Sequence, residues 1–245
     1  MFLTYKKLLY INSLVYLHQE FINVAVMDKT FTSIEELSAS NDSFFRDSSK
    51  VVIKRIFDVT FSLLALILVC SWLFPVIAIA IKLTSKGPVL FKQLRHGKDN
   101  VPFYCLKFRT MVTNKEADFL QASKHDKRIT RVGKFLRRTS LDELPQIINV
   151  LKGEMSIVGP RPHTVPMNEV FAQEIDNFMF RHAVKPGITG LAQAKGYRGE
   201  TKNFHDIHSR YKLDMFYVRN WCIYFDSKII LETAYSLWFR NDRAY

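Results

Sequence analysis

The feature that most restricts the fold is a run of 23 residues, from Val59 to Ile81, without Asp, Glu, Lys or Arg. As a helix, such a run rises about 35 Å, which is enough to cross the hydrocarbon core of a bilayer. The alternative is a buried helical hairpin in a water-soluble protein. An uncharged run of this length is hard to bury in a chain of 245 residues. We therefore predict that it is embedded in a membrane.

Two features of this run argue against a simple crossing. Pro75 lies inside it, where it removes a helical hydrogen bond and favours a kink. Basic residues flank the run on both sides, whereas a spanning helix usually has them on one side. They are Lys54, Arg55, Lys82, Lys86, Lys92, Arg95 and Lys98. We predict a helix that enters the membrane, breaks, and returns to the same face.

The net charge of +12 lies wholly in residues 51–245, because residues 1–50 carry five Lys or Arg and six Asp or Glu. A basic body suits nucleic acid, an anionic membrane surface or a phosphorylated substrate. The sequence has no recognisable nucleic-acid-binding motif, and the long apolar run has no place in such a protein, so we expect no nucleic acid partner. The three cysteines form no C-x-x-C pair, which argues against a zinc site or a disulfide framework and fits a reducing cytoplasm.

The remainder of the chain is predicted to mix short strands with helices. "VLFKQ" and "FYCLKF" have the composition of strands, "EMSIVGPRP" is typical of a strand that runs into a turn, and "VKPGITG" of a second turn. Helices are predicted over 165–182, 203–217 and 226–239. The last would present an apolar face that packs on the core or lies on a membrane, formed by Ile229, Ile230, Thr233, Leu237 and Trp238.

Asp142 and Glu143 stand side by side in "RRTSLDELPQ". In a structural interpretation, Ser140 and Glu143 form a capping box, and acidic residues in a first turn complement the helix dipole. Pro145 weakens that interpretation. In a functional interpretation, one carboxylate stays ionised and attacks phosphorus while its neighbour helps to hold Mg²⁺. The pair alone leaves both interpretations open.

"VGPRPH", residues 158–163, is a stronger signal. Two prolines fix the backbone around Arg161, so its guanidinium would project from a rigid turn and suit bidentate phosphate binding. The alternative is a surface arginine in a proline-rich loop. Lys107 and Arg109 alternate with apolar residues in "LKFRTM" and would share one face of a strand, which by default is a solvated face.

With these motifs in view, the chain resembles the bacterial sugar transferase family, the monotopic phosphoglycosyl transferases. The resemblance runs from about Lys54 to the C-terminus. It is carried in order by "KRIFD", "KGPVLFKQ", "LKFRTM", "DKRITRVGKFLRRTSLDELPQIINVLKGEMSIVGPRP" and "VKPGITGLAQ". The tail "GYRGETKN…YVRNW…DSKII" is most similar to the branch that transfers hexose 1-phosphate, often glucose 1-phosphate, to undecaprenyl phosphate.

The resemblance implies a two-step reaction. Asp142 would attack the sugar-proximal phosphate of a UDP-sugar, release UMP and form a phosphosugar-aspartyl intermediate. Undecaprenyl phosphate would then attack this intermediate and start a surface polysaccharide, a route that predicts ping-pong kinetics. UDP-glucose is the expected donor. UDP-galactose or a modified N-acetylated UDP-sugar is an alternative, and a non-catalytic membrane scaffold for polysaccharide assembly is an alternative of another class.

The resemblance also implies the site. Mg²⁺ would bind at Asp142 and Glu143. The matching phosphate-binding positions are Lys107, Arg109, Arg137, Arg161 and Arg198, with Asp126, Arg128 and Arg131 as weaker candidates. The chain departs from the family at the helix break, where members commonly carry Ser-Pro. Here Ser71 is followed by Trp72, and the proline comes at Pro75.

We therefore expect an α+β, predominantly helical protein in three parts. Residues 1–50 would be an extension of unknown role, 51–83 a re-entrant helix-break-helix, and 84–245 a small cytoplasmic phosphoglycosyl transferase domain with amphipathic interfacial helices. The protein would be monotopic in the bacterial inner membrane, with its active site facing the cytoplasm. The expected partners are a UDP-sugar, undecaprenyl phosphate and membrane lipids, and a homodimer is left open.

Overall fold

A computed structural model describes residues 48–112, 126–197, 199 and 204–239. The predicted extension over 1–50 falls almost wholly outside these residues. The described part is mostly helical, with two small two-stranded sheets. Its helices are α1 (Ser48–Ala65), α2 (Ser71–Thr84), α3 (Arg131–Thr139), α4 (Gln146–Lys152), α5 (Val165–Glu174), α6 (Leu191–Ala194), α7 (Phe204–Arg219) and α8 (Ile223–Phe239). Its strands are β1 (Leu90–His96), β2 (Pro102–Phe108), β3 (Ser156–Val158) and β4 (Gly187–Thr189).

α1 and α2 form one long helix, and within the described residues it is the one helix long and apolar enough to cross a membrane. Most of its large apolar side chains are exposed, among them Leu68 at 67% and Leu83 at 82%. Its buried residues follow one stripe, which consists of Asp58, Ser62, Cys70, Ile77 and Ile81. The helix therefore presents one narrow face to the protein and a broad apolar surface outward, as a lipid-facing helix does.

The irregular turn of this helix lies before Pro75, not at it. Residues Leu66–Cys70 are π-helical, and the Ser71 backbone N–H donates to the Leu66 carbonyl. The Ser71 hydroxyl donates to the Ile67 carbonyl at 2.6 Å and the Trp72 indole to the Leu68 carbonyl at 3.1 Å. Backbone groups in a bilayer must be satisfied internally. Ser71 and Trp72 thus supply hydrogen bonds to carbonyls of the irregular turn.

The N-terminal end of the long helix is held by charged side chains. Arg55 donates to the carbonyls of Val150 and Leu151, at 2.6 and 2.7 Å, in the last turn of α4. Cations suit that position because unpaired carbonyls end a helix. Asp58 accepts from the backbone N–H of Ile157 at 3.0 Å, which joins α1 to β3.

The C-terminal end is held by Arg109, which is 5% exposed. Its guanidinium donates to the carbonyls of Ser85 and Lys86, at 2.8 and 2.9 Å, just after α2. The second half of the helix also packs on β2 and α3 through a core cluster of Ile77, Ile81, Phe108 and Leu136. Both ends of the long helix are therefore attached to the same folded body.

The two predicted strands are confirmed as β1 and β2, which pair antiparallel along their whole length. β3 pairs with β4 in parallel, so part of "VKPGITG", predicted as a turn, is a strand. The pairing needs glycine at two positions, because a Cβ on Gly159 would lie 2.5 Å from the Lys185 carbonyl oxygen and one on Gly187 would lie 2.1 Å from the Gly159 nitrogen. This contact brings the two motifs "VGPRP" and "KPGITG" together.

Three helix predictions can be compared with the structure. The predicted helices over 203–217 and 226–239 are confirmed as α7 and α8. The single helix predicted over 165–182 is wrong, because α5 ends at Glu174 and a 3-10 turn follows over Phe178–Ala183. Asn177 has a φ of 61°, which a continuous right-handed helix does not allow. On α8, Ile229 is fully buried, while Tyr224 and Leu231 are 76% and 70% exposed.

Candidate active site

The paired carboxylates lie on a single 3-10 turn, Leu141–Glu143, between α3 and α4. Ser140 ends α3 with a φ of 59°, so the chain reverses into this turn. The capping box considered for Ser140 and Glu143 is not formed, because the Ser140 side chain makes no cap hydrogen bond. The Glu143 carboxylate faces two cations instead, which removes it from any capping role.

Glu143 is held by cations from two other elements. Its Oε1 accepts from Lys107 Nζ on β2 at 2.7 Å and from Arg161 Nη2 after β3 at 2.8 Å. The three side chains are only 8%, 15% and 18% exposed, in the order Glu143, Lys107 and Arg161. Screening by water is weak at this burial, so the ion pairs are strong. We call Asp142, Glu143, Lys107 and Arg161 the front cluster.

Asp142 differs from its neighbour. Within the described part of the chain, its half-buried carboxylate makes no hydrogen bond or ion pair. Burial raises the pKa of Asp142, and the charge of Glu143 acts in the same direction, while the charges of Lys107, Arg137 and Arg161 oppose the rise. A carboxylate that is near cations yet not occupied by them is free to bind a metal ion or to attack an electrophile.

The turn that carries Arg161 is fixed through its backbone carbonyls. The Val158 carbonyl accepts from Lys54 at 3.1 Å and from the Tyr217 hydroxyl at 2.9 Å. The Arg161 carbonyl accepts from Arg181 at 2.7 Å. The Pro162 carbonyl accepts from Arg95. The rigidity that two prolines give the turn is therefore reinforced by side chains from four other elements.

A second group of charged residues lies behind this turn, and we call His163, Arg181, Arg210 and Asp214 the rear cluster. Arg181 is fully buried and donates to Asp214 Oδ2 at 2.6 and 3.1 Å and to His163 Nδ1 at 2.9 Å. Burial lowers the pKa of His163 well below its usual range, and the charges of Arg181 and Arg210 lower it further, so the ring is neutral and accepts from Arg181. The rear cluster contacts the front cluster through the Arg161 carbonyl.

The structure brings some of the predicted site residues together and leaves others apart. Lys107 and Arg161 meet the carboxylate pair, and Arg137 lies close enough to influence the pKa of Asp142. Arg109 does not share a strand face with Lys107, because β2 ends at Phe108 and Arg109 turns to the carbonyls after α2. Arg198 lies outside the described residues.

The weaker candidates form a pair beside α3. Asp126 accepts from Arg128 through both carboxylate oxygens, at 2.6 to 3.0 Å. These hydrogen bonds lower the pKa of Asp126 to about 2. Arg131 is exposed at the start of α3.

Reasoning from sequence missed three residues that support the site. Arg95 is one of the basic residues that flank the apolar run, yet in the structure it donates to the Pro162 carbonyl. Arg181 and Asp214 stand 33 residues apart and carry no local motif. The one available signal was the excess of basic residues in "LRH" and "FRH", and a basic residue beside a histidine is too common to single out a site.

Comparison with known proteins gives concordant results. The family model described as bacterial sugar transferase matches residues 49–240. A relative from Klebsiella pneumoniae, named UDP-glucose:undecaprenyl-phosphate glucose-1-phosphate transferase, is 52% identical over 196 residues, which are 80% of this chain and 42% of that protein.

Two further relatives carry the same name. The one from Escherichia coli (strain K12) is 49% identical over 79% of this chain and 42% of its own length. The one from Caulobacter vibrioides is 43% identical over 78% of this chain and 72% of its own length. The chain thus spans about two fifths of the length of the first two relatives and most of the third.

Proposed function

The chain belongs to the bacterial sugar transferase family, and from this premise we propose that it transfers a sugar 1-phosphate from a UDP-sugar to undecaprenyl phosphate. UDP-glucose is the proposed donor, because the named relatives are UDP-glucose enzymes. The observation that carries the proposal is the contrast between the two adjacent carboxylates. Glu143 is held by Lys107 and Arg161, while Asp142 beside them is open.

In the first step, an Asp142 carboxylate oxygen attacks the sugar-proximal phosphorus of the UDP-sugar. The bond from that phosphorus to the bridging oxygen breaks, and UMP leaves with the electron pair. Burial disfavours the Asp142 carboxylate anion, and forming the Oδ–phosphorus bond removes that charge from the carboxyl group. Lys107 and Arg161 would offset the charge on the phosphate oxygens as UMP departs.

In the second step, a phosphate oxygen of undecaprenyl phosphate attacks the same phosphorus. The bond to Asp142 breaks, the carboxylate is restored, and the product is undecaprenyl-diphospho-sugar. This would be the first membrane step of a surface polysaccharide. Because the transfer is split into two displacements at one carboxylate, the water-soluble donor and the lipid acceptor can react one after the other at the same site.

Mg²⁺ fits the front cluster. The described residues contain no group of three or more His, Cys, Asp or Glu that could hold a metal by themselves. Mg²⁺ usually needs only one or two carboxylates, and takes its other ligands from phosphates and water. The open Asp142 carboxylate, with Glu143 next to it, would hold it. Bound there, the ion would neutralise diphosphate charge.

We further propose that the long helix is re-entrant and that the active site faces the cytoplasm. The support is that Arg55 and Asp58 at one end, and Arg109 at the other, attach both ends to one folded body. In a Cys222→Ser background, Val51→Cys and Leu83→Cys would then react with a membrane-impermeant maleimide on the same side of the membrane. Labelling from opposite sides would show a crossing helix.

The decisive test uses the full chain in nanodiscs with Mg²⁺ and a panel of UDP-sugars that includes UDP-glucose, UDP-galactose and N-acetylated sugars. We expect UMP release with UDP-glucose that depends on undecaprenyl phosphate for multiple turnovers. Without acceptor, a donor labelled in the sugar-proximal phosphate should leave label on the protein, and Asp142→Asn should remain unlabelled. Turnover by Asp142→Asn at the wild-type rate would exclude the covalent route. Inactivity of well-folded protein with every donor would favour a scaffold.

A further inference from the structure

The outward surface of α3 is cationic. Arg131, Lys134, Phe135 and Arg138 recur at the spacing of one helical face, and all four are exposed, Phe135 at 59%. Within the described residues, none of the three cations forms a hydrogen bond or ion pair with another side chain. We call these four residues the outer face of α3. Three unpaired positive charges around one exposed aromatic ring suit an anionic group at a lipid surface.

The inward surface of α3 touches both the apolar helix and the site. Leu136 packs with Ile77 and Ile81 of α2, and it is 2% exposed. Gly133 lies so close to Thr110 that a Cβ would sit 1.9 Å from the Thr110 carbonyl oxygen, which fixes the helix against the end of β2. α3 ends at Thr139, and the 3-10 turn that carries Asp142 follows it directly. α3 therefore reaches from the membrane-facing helix to the reactive carboxylate.

The end of α2 beside α3 continues the same surface. Leu83 is 82% exposed, and Lys82 and Lys86 on either side of it are exposed as well. The exposed apolar surface of α2 is therefore followed by the cations at its C-terminal end and then by those on the outer face of α3, which leads to Asp142. A molecule with a long hydrocarbon chain and a single phosphate has the matching order of chemical groups.

Resting on the proposed function, we propose that the outer face of α3 binds the phosphate of the undecaprenyl phosphate acceptor before it reacts. The prenyl chain would lie against the exposed apolar surface of α2, and the phosphate would pass from Lys134 and Arg138 to Arg137 and Asp142. The donor has no use for this surface, because a UDP-sugar approaches from water. Bulk anionic phospholipid carries the same charge, but it is not a substrate that must reach Asp142.

The test compares three forms of the full chain in nanodiscs of phosphatidylcholine, which carries no net charge. They are the wild type, Lys134→Gln/Arg138→Gln, and Lys92→Gln/Lys98→Gln as a control with the same loss of charge at β1 and the turn after it. In ping-pong kinetics, kcat/KM for the donor and kcat/KM for the acceptor report the two steps separately. Single-turnover UMP release without acceptor measures the first step alone.

We expect Lys134→Gln/Arg138→Gln to lower kcat/KM for undecaprenyl phosphate about 10- to 30-fold, since each surface cation that pairs with the phosphate contributes up to roughly a factor of five. Donor kcat/KM and single-turnover UMP release should stay within about twofold of the wild type, as should both values for the control. Retention of the acceptor kcat/KM would overturn the inference, and so would an equal loss for donor and acceptor.

A second arm adds anionic phosphatidylglycerol to the nanodiscs. If the outer face binds bulk anionic lipid only, the variant will keep the wild-type acceptor kcat/KM in the neutral membrane and lose it only in the anionic one, which would also overturn the inference. The proposed function fails separately, by absence of UMP release from the wild type. The two failures are therefore distinguishable in one set of measurements.

Discussion

The front and rear clusters have similar composition and very different surroundings. In the front cluster the side chains of Glu143, Lys107 and Arg161 keep between 8% and 18% of their surface exposed, and Asp142 remains open. In the rear cluster Arg181 and Asp214 are 0% and 2% exposed, and the arginine uses both sides of its guanidinium on Asp214, His163 and the Arg161 carbonyl.

The difference separates two uses of buried charge. A cluster built on a fully buried ion pair, as that of Arg181 and Asp214 is, contributes position, because any movement breaks contacts that water cannot replace. A cluster with one carboxylate left open contributes reactivity, at a cost in burial of that charge. The two clusters share the Arg161 backbone, so the reactive side depends on the paired side for its geometry. Substitutions in each should therefore fail in different ways.

Asp142→Asn should have the largest effect and should act on activity alone. We expect UMP release and protein labelling to fall about 10³-fold or more, because the nucleophile is lost. Thermal stability should be unchanged or slightly higher, since a buried charge without a hydrogen bond is removed. Steady-state UMP release and differential scanning fluorimetry in the same nanodiscs measure both.

Glu143→Gln is the matched control one residue away. It leaves Lys107 and Arg161 with a neutral partner, so it should lower both thermal stability and activity. If Asp142→Asn and Glu143→Gln lost stability to the same extent, the distinction between an open and a held carboxylate would be wrong.

Arg181→Met should act first on stability. It leaves Asp214 buried without its cation, and removing one partner of a buried ion pair costs about 3 to 5 kcal/mol. Activity measured per folded molecule should also fall, with a rise in KM for the UDP-sugar, because the Arg161 carbonyl loses the hydrogen bond that Arg181 donates. Chemical denaturation and donor kinetics at low temperature would check this.

Arg128→Met breaks an ion pair nearer the surface and is the comparison for Arg181→Met. Arg128 is 22% exposed, so its loss should cost about 1 kcal/mol or less. Ile175→Ala, in the apolar cluster of Phe171 and Phe178, provides a variant of lowered stability without a polar change at the turn. A donor KM that rises equally in Ile175→Ala would show that Arg181 has no positioning role.

Acidification should destabilise the folded protein through its buried histidines. Burial lowers the pKa of His182 to about 3, and the charge of Arg181 contributes. The unfolded chain binds a proton at this residue below about pH 6.5, while the folded protein does not until about pH 3. The free energy of unfolding therefore decreases as the pH is lowered from about 6.5 to about 3. From pH 7 to pH 5 this one group should cost about 2 kcal/mol.

His182→Gln should therefore lose less stability than the wild type over that pH interval. His205→Gln, at an exposed histidine of α7, is the control and should follow the wild type. Denaturation midpoints at pH 7, 6 and 5 would decide the matter, and parallel pH curves for wild type and His182→Gln would contradict the buried, neutral ring.

Tyr217→Phe should have a modest effect on stability and a small one on activity. The hydroxyl donates to the Val158 carbonyl and lies 2.8 Å from Asp226 Oδ1, so its loss should cost about 1 to 2 kcal/mol. Donor kcat/KM should fall only a few-fold, because Lys54 still holds the same carbonyl. Tyr224→Phe, at a tyrosine 76% exposed, should change neither quantity. Equal thermal shifts in the two variants would refute the role given to Tyr217.

The parts of this molecule that could be predicted from sequence are those whose signal is local. The uncharged run, the β1–β2 strands and helices α7 and α8 follow from periodicity and composition over a few residues. The carboxylate pair and Arg161 stand in motifs that the family resemblance identifies. In the structure, Lys107 and Arg161 both form ion pairs with Glu143.

The parts that could not be predicted depend on contacts distant in sequence. The capping box at Ser140 matches a local pattern, but Lys107 and Arg161, 36 and 18 residues from Glu143, outcompete it. Strand alternation places Arg109 on the same face as Lys107. Because β2 ends at Phe108, Arg109 instead turns toward the end of α2. Pro75 predicts a kink at its own position, whereas the irregular turn lies at Leu66–Cys70. The side chains that donate to the carbonyls of that turn are Ser71 and Trp72.

The attachment of Lys54 has a consequence for how the chain is made. Lys54 binds the Val158 carbonyl, and its ion pair with Asp226, at 2.5 Å, joins residues 172 positions apart. At synthesis rates of about 5 to 20 residues per second, Asp226 follows Lys54 by about 10 to 30 s. The apolar helix thus leaves the ribosome well before the residues that fasten its first turns. Until Asp226 has been made, the first turns of the helix lack this ion pair, and the contacts of Arg55 and Asp58 with Val150, Leu151 and Ile157 become available earlier.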